Sequence, residues 1–102
     1  MYDIKVVNKR WSLEHGGEYV GRPSVLGNPF AIGRDGTREE VIAKYRRWLW
    51  EQVQQAGPVL WELDRLAEKL VTQRGLTLVC WCAPKACHAD VIASAIEWRN
   101  SP

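Results

Sequence analysis

The sequence has few of the residues that mark secreted or membrane proteins. Its 102 residues include three cysteines, all between Cys80 and Cys87, so an extracellular disulfide framework is excluded. No apolar run approaches the roughly 18 residues needed to cross a bilayer, and the first residues lack the basic-then-apolar layout of a signal peptide. We therefore expect a soluble, cytoplasmic protein with reduced thiols and no membrane partner.

The sequence also lacks a strong excess of charge of either sign. Fourteen Lys and Arg residues stand against 12 Asp and Glu residues, which gives a formal net charge of +2. The basic residues are not clustered along the sequence, so the charge pattern does not indicate nonspecific binding of duplex nucleic acid. Nucleic acid is therefore only a secondary candidate partner. A hydrophobic fraction of 46% excludes a disordered chain and is typical of a globular domain. We expect one domain over residues 1–102, and nothing in the sequence indicates an oligomeric state.

Hydrophobic periodicity predicts six elements in the order strand, strand, helix, helix, strand, helix. The first helix starts from Thr37, an N-cap with Glu40 three residues later, and Gly57-Pro58 ends it. The predicted ranges are 2–7 and 18–20 for the first two strands, 38–56 and 59–74 for two helices, 76–82 for a buried strand and 87–99 for the last helix. This order indicates a small three-layer α/β domain with a short, mostly parallel sheet.

The segment from Gly21 to Gly36 is predicted to be an ordered loop because it contains four glycines and two prolines together with apolar residues. Such loops often bind ligands through backbone amides that pair with no strand. Arg22 supplies a fixed positive charge suited to phosphate or carboxylate, and Asn28 supplies an amide able to read a base or ribose edge. Alternatively, the segment is a surface loop that binds no ligand. In that case Arg22 forms a surface salt bridge and Asn28 is only a turn residue.

The stretch after the buried strand carries most of the reactive side chains. Cys87 is the candidate nucleophile, because a helix N-terminus, Lys85 and His88 would all stabilise a thiolate there. His88 is a candidate general base or anion-holding group. Asp90 is a candidate to orient His88, although residues one or two apart on a helix do not normally face each other.

Two other interpretations of the same segment stay open. Cys80, Cys82, Cys87 and His88 are four possible ligands suited to zinc or an iron–sulfur cluster, but the tight Cys-x-Cys and the adjacent Cys-His pair are awkward for one tetrahedral ion. Cys80 and Cys82 would otherwise serve as small buried hydrophobic residues on one face of the strand. Apart from zinc, no cofactor is predicted.

The combination of motifs resembles an uncharacterised domain family found in bacterial and phage proteins. The resemblance rests on four segments, which are Gly21-Arg22-Pro23-Ser24, Gly27-Asn28-Pro29-Phe30, Thr37-Arg38-Glu39-Glu40-Val41-Ile42 with Tyr45, and Cys80-Trp81-Cys82-Ala83-Pro84 with Cys87-His88-Ala89-Asp90. It covers nearly the whole chain and implies a single compact domain. Because the activity of that family is unknown, the resemblance assigns no reaction.

These observations lead to a hypothesis of a pocket for a small anionic ligand, a nucleotide or a nucleotide derivative, at a strand-to-helix corner. Cys87 and His88 are the candidate catalytic residues. The candidate ligand-binding residues are Arg22, Ser24, Asn28, Arg38, Cys82, Lys85 and Asp90. The alternatives are a non-catalytic nucleotide-binding or protein-interaction module and a zinc-stabilised structural domain.

Overall fold

A computed structural model describes residues 3–10, 17–83 and 85–101 of the chain. Its elements are β1 (Asp3–Asn8), β2 (Glu18–Tyr19), α1 (Arg38–Gln54), α2 (Pro58–Gln73), β3 (Gly75–Cys80) and α3 (His88–Arg99). The three strands form one sheet in the order β1-β3-β2, and both pairings are parallel. The prediction of an α/β fold with a small parallel sheet is confirmed.

The central strand β3 lies between β1 and β2 in the sheet. Its buried residues alternate, and Leu76, Leu78 and Cys80 point into the core. Helices α2 and α3 pack against β3, while α1 packs against α2 and α3. All three helices thus contribute to one core, in which Tyr45 and Leu63 are completely buried.

Local signals explain where the helices begin. Thr37 is the N-cap of α1: its hydroxyl accepts the Glu40 N–H at 3.3 Å, and the Glu40 carboxylate accepts the Thr37 N–H at 2.9 Å. Pro58 occupies the first turn of α2, where its missing N–H is not needed. Cys87 is the N-cap of α3.

The end of β3 differs from the prediction. The sequence pattern continues the strand to Cys82, but the strand ends at Cys80, where its pairing with Asn8 of β1 also ends. The Asn8 amide then donates to the carbonyls of Trp81 and Ala83, at 2.8 and 2.9 Å, and holds the chain in a turn. Cys82 therefore lies beyond the sheet and does not share a strand face with Cys80.

Within the described ranges, no helix is both long enough and apolar enough to span a membrane.

Candidate functional site

A cavity of about 410 Å³ opens where β2 and β3 end and α3 begins. The loop after β2, the first turn of α1 and the turn after β3 form its walls. In a parallel α/β sheet, this carboxyl edge is where ligands usually bind. The cavity is lined by Tyr19, Gly21, Arg22, Asn28, Phe30, Ala31, Ile32, Arg38, Val41, Ile42, Trp81, Cys82, Ala86, Cys87 and His88.

Arg22 holds the loop in its folded form. Its Nε donates to the Asn28 carbonyl at 2.7 Å, and Nη2 donates to the Phe30 carbonyl at 3.0 Å. Gly27 allows the tight return of the chain, because a Cβ there would lie 3.1 Å from the Arg22 Cα and from the Ser24 carbonyl oxygen. Gly27 thus allows the loop to pack closely on itself. The two hydrogen bonds of Arg22 hold its guanidinium group in a fixed position.

Arg38 brings a second positive charge to the cavity from the first residue of α1. Its Nη1 donates to the Ala86 carbonyl at 3.0 Å and links α1 to the segment before α3. Within the described ranges, neither Arg22 nor Arg38 forms an ion pair with a carboxylate. No described acidic residue lines the cavity, so both charges are left uncompensated there.

Aromatic rings form one side of the cavity. Trp81 Nε1 donates to the Tyr19 hydroxyl at 3.1 Å, and that hydroxyl donates to the Arg22 carbonyl at 2.7 Å. The Lys9 ammonium lies 4.5 Å from the centroid of the Tyr19 ring and 5.6 Å from that of Trp81. These contacts fix the two rings, and Phe30 adds a third ring to the lining.

Cys87 and Cys80 form a pair of buried thiols with their Sγ atoms 3.4 Å apart. Donation of the Cys87 S–H lowers the pKa of Cys80 to about 6, and the amides of Cys82 and Ala83 add to this effect against the cost of burial. The pKa of Cys87 is raised, because its proton is held by Cys80 and because it is buried. The sequence hypothesis put the stabilised thiolate on Cys87, whereas the contact between the two sulfurs lowers the pKa of Cys80 and raises that of Cys87.

His88 is buried at the cavity floor, with 7% of its surface exposed. Its Nε2 lies 2.7 Å from the Val20 carbonyl oxygen, and its ring meets the Tyr45 ring edge-on at 5.1 Å. A carbonyl has no proton to give, so Nε2 must be the protonated nitrogen in this contact. A role as general base would therefore have to use Nδ1.

The structure brings six of the predicted site residues to the cavity lining, namely Arg22, Asn28, Arg38, Cys82, Cys87 and His88. It places the other three elsewhere. Lys85 is exposed to solvent, and the Ser24 hydroxyl is buried without a hydrogen-bond partner among the described residues. The Asp90 carboxylate accepts the Cys87 N–H at 3.1 Å and so completes the cap of α3 instead of orienting His88.

Two features of the cavity were not predicted from the sequence. They are its aromatic side and the role of Asn8 in holding the turn after β3. The predicted strand 76–82 includes Trp81, but β3 stops before it, at Cys80. The predicted first strand ends at residue 7 and leaves Asn8 without a role, yet the Asn8 amide holds the turn that carries Trp81. A signal was present for Asn8, since asparagine at a strand end often bonds to backbone groups nearby, but its partners lie more than seventy positions away.

The four candidate zinc ligands do not form a metal site in this arrangement. No group of three or more His, Cys, Asp or Glu side chains in the described part of the chain is placed to hold a metal ion. His88 Nε2 is engaged by the Val20 carbonyl, and Cys82 lies off the strand that carries Cys80.

The fold and the cavity define a class: a small parallel α/β domain with a ligand-sized pocket at the carboxyl ends of its strands. Within that class, the chain belongs to the family described as a domain of unknown function (DUF4326), which it matches over residues 4–98. The predicted membership of an uncharacterised family is confirmed. No curated protein and no solved structure matches the chain.

Proposed function

We propose that this protein binds a small anionic ligand with an aromatic ring, a nucleotide or a nucleotide derivative, in the cavity at the carboxyl edge of its sheet. The observation that carries the proposal is the charge of the lining. Arg22 and Arg38 both face the cavity without a carboxylate partner, and no described acidic side chain lines it. Guanidinium groups suit phosphate oxygens, with which they form charge-assisted hydrogen bonds.

The aromatic side chains support the ring part of the ligand. Tyr19, Phe30 and Trp81 line the same cavity as the two arginines, and an aromatic ring can stack on a base of any sequence. Asn28 offers its amide N–H groups, because its side-chain oxygen already accepts the Phe30 N–H at 2.9 Å. A volume of about 410 Å³ lies in the usual range for small-molecule sites.

Thermal unfolding in the presence of a nucleotide, or of either of its two parts, tests the proposal. A nucleoside monophosphate is expected to raise Tm, whereas the nucleoside alone and ribose phosphate alone raise it less at equal concentration. The panel should include all four common bases, because the lining does not select one. If no nucleotide in the panel changes Tm and calorimetry detects no heat of binding, the proposal is wrong.

Arg38→Gln tests how much the positive charge of Arg38 contributes to ligand binding. It removes a cation from the lining, and we expect the nucleotide affinity to fall by roughly 10- to 100-fold, as for loss of a charged hydrogen bond. Arg47→Gln is the matched control, because Arg47 is an exposed arginine of the same helix and does not line the cavity. Equal affinities of the two variants would remove the role assigned to Arg38.

A second candidate function is catalysis with Cys87 as the nucleophile, because its side chain lines the same cavity. Cys87→Ser separates the two functions, since serine keeps the N-cap of α3 but is a much weaker nucleophile. Retained nucleotide binding with loss of ligand conversion, followed by chromatography, would support an enzyme. A bound nucleotide that stays unchanged with the wild-type protein would instead support a binding module.

We also propose a cytoplasmic location, which the three free thiols favour.

A further inference from the structure

Two of the three thiols lie closer together than their spacing in sequence suggests. The Sγ atoms of Cys80 and Cys87 are 3.4 Å apart, at the end of β3 and the start of α3. Only Cys87 belongs to the cavity lining, while Cys80 is 1% exposed and lies outside that lining. A reagent in the cavity can therefore contact the Cys87 sulfur. The Cys80 sulfur touches that of Cys87 but lies outside the cavity lining.

We propose that Cys87 and Cys80 form a thiol–disulfide exchange site, in which Cys87 attacks a small disulfide in the cavity and Cys80 resolves the mixed disulfide. This activity goes beyond the proposed nucleotide binding and does not rest on it. It requires an electrophile that fits the cavity and an approach of the two protein sulfurs by about 1.4 Å, from contact to bonding distance.

The exchange is balanced in two steps. First, Cys87 Sγ bonds to one sulfur of the small disulfide, whose S–S bond breaks; the other half leaves as a thiolate, and the Cys87 proton passes to Cys80. Second, Cys80 gives that proton to the departed thiolate and its sulfur attacks Cys87 Sγ, which expels the remaining half as a thiolate that takes a proton from water. The two protein thiols are oxidised to one disulfide, and the small disulfide is reduced to two thiols.

The surroundings of Cys80 suit both of its steps. The pKa of Cys80 is lowered to about 6 by the hydrogen bond with Cys87 and by the amides of Cys82 and Ala83. The Cys80 Sγ also touches the Cys87 Sγ and is therefore placed to accept the proton from Cys87 in the first step. In the second step the Cys87 S–H is no longer present, and the amides of Cys82 and Ala83 still favour the Cys80 thiolate that attacks.

Cys82 is the natural competitor, because it is partly exposed and also lines the cavity. Among the described residues, its Sγ forms no hydrogen bond with another sulfur, whereas the sulfurs of Cys80 and Cys87 lie 3.4 Å apart. Cys82 is thus expected to form at most a mixed disulfide that persists, while Cys87 passes its adduct to Cys80.

Hydroxyethyl disulfide is a suitable probe, because it is small and uncharged. The reduced protein is incubated with it, and intact mass and peptide mapping follow the products. We expect loss of two hydrogens and a Cys80–Cys87 disulfide in the wild-type protein. In Cys80→Ser and Cys80→Ala, we expect the mixed disulfide to persist on Cys87, and in Cys87→Ser we expect Cys80 to stay unmodified because it is sealed from the cavity.

Cys82→Ser is the matched control and is expected to form the internal disulfide at the wild-type rate. Circular dichroism confirms that each variant is folded, and serine at position 87 retains a good N-cap residue. Modification of Cys82 alone in the folded wild-type protein would overturn the proposal. So would a disulfide that includes Cys82 in place of Cys80, or failure of both Cys80 variants to accumulate the adduct on Cys87. Nucleotide binding of these variants, measured by calorimetry, is judged separately.

Discussion

Two buried side chains fasten the cavity loop to the helices. The Tyr45 hydroxyl donates to the Leu26 carbonyl at 2.7 Å, and His88 Nε2 lies 2.7 Å from the Val20 carbonyl oxygen. Both carbonyls belong to residues that are almost fully buried, so no solvent is at hand to replace either bond. Single polar contacts therefore matter more here than at the molecular surface.

Tyr45→Phe tests this directly. The variant keeps the ring but leaves the Leu26 carbonyl unpaired, and we expect the free energy of unfolding to fall by about 1–3 kcal/mol. Tyr19→Phe is the control, since its hydroxyl bonds lie at the exposed rim where water can replace them. Urea unfolding measures both variants, and a loss in Tyr19→Phe as large as in Tyr45→Phe would contradict the argument from burial.

The pH dependence of the thiols is also a property of single residues. Because the pKa of Cys80 is lowered to about 6, one thiolate should appear in the folded protein as pH rises through 6. An ordinary thiol in the unfolded chain ionises near pH 9, so the stability that this ionisation contributes is complete above about pH 9 and is lost as pH falls through 6. Ultraviolet thiolate absorbance measures the transition.

Cys87→Ala gives the sharper form of this test. It removes the S–H that donates to Cys80, so the transition is expected to move up towards the ordinary thiol range. Cys82→Ala is the control, because the backbone amide of residue 82 remains to bond Cys80. An unchanged transition in Cys87→Ala would show that the two sulfurs do not share a proton.

At the scale of elements, two helix starts position one arginine and one cysteine of the cavity. Arg38 is the first residue of α1 after the Thr37 cap, and Cys87 is itself the cap of α3, with its Sγ 3.4 Å from the Ala89 amide. Thr37 and Glu40 were predicted as a capping box from their spacing alone, and the structure confirms it. A helix start is predictable in this way because its partners lie within one turn.

Thr37→Ala is expected to reduce stability by about 1 kcal/mol, the usual cost of an N-cap hydroxyl. Thr72→Ala is the matched control. Thr72 is exposed in the last turn of α2, where alanine is the better helix former, so that variant should be neutral or slightly more stable. Thermal unfolding compares the two, and equal losses would mean that the cap does not stabilise α1.

At the scale of the whole molecule, ion pairs connect the short strand β2 to α2 and connect α2 to α3. Glu18 of β2 accepts hydrogen bonds from Arg65 and Lys69 of α2, while Arg99 of α3 pairs with Asp64 of α2 at 2.7 Å. Burial opposes ionisation of Glu18, but the bonds from Arg65 and Lys69 outweigh it and lower the pKa of Glu18 below 4.5. A strand of two residues has little pairing of its own, so these contacts help to fix it.

Glu18→Gln is expected to lower the free energy of unfolding by about 1 kcal/mol at neutral pH. Because the folded pKa is the lower one, the contribution of Glu18 is fully present above pH 4.5 and disappears as pH falls through the folded pKa. The difference between wild type and variant should therefore shrink in acid. Glu68→Gln, a change at an exposed residue of α2, is the control, and a difference that stays constant down to acid pH would contradict this account.

The sequence by itself determined the kinds and order of the elements and the starts of the helices, because periodicity, glycine and proline breaks and caps act within a few residues. The start of α1 at Thr37 and the burial of β3 are examples. Only the tertiary structure decided where β3 ends, since that depends on Asn8 of another strand. It alone also brought Trp81 beside Tyr19 and Cys80 beside Cys87, because these contacts form only when the turn after β3 closes over the sheet edge.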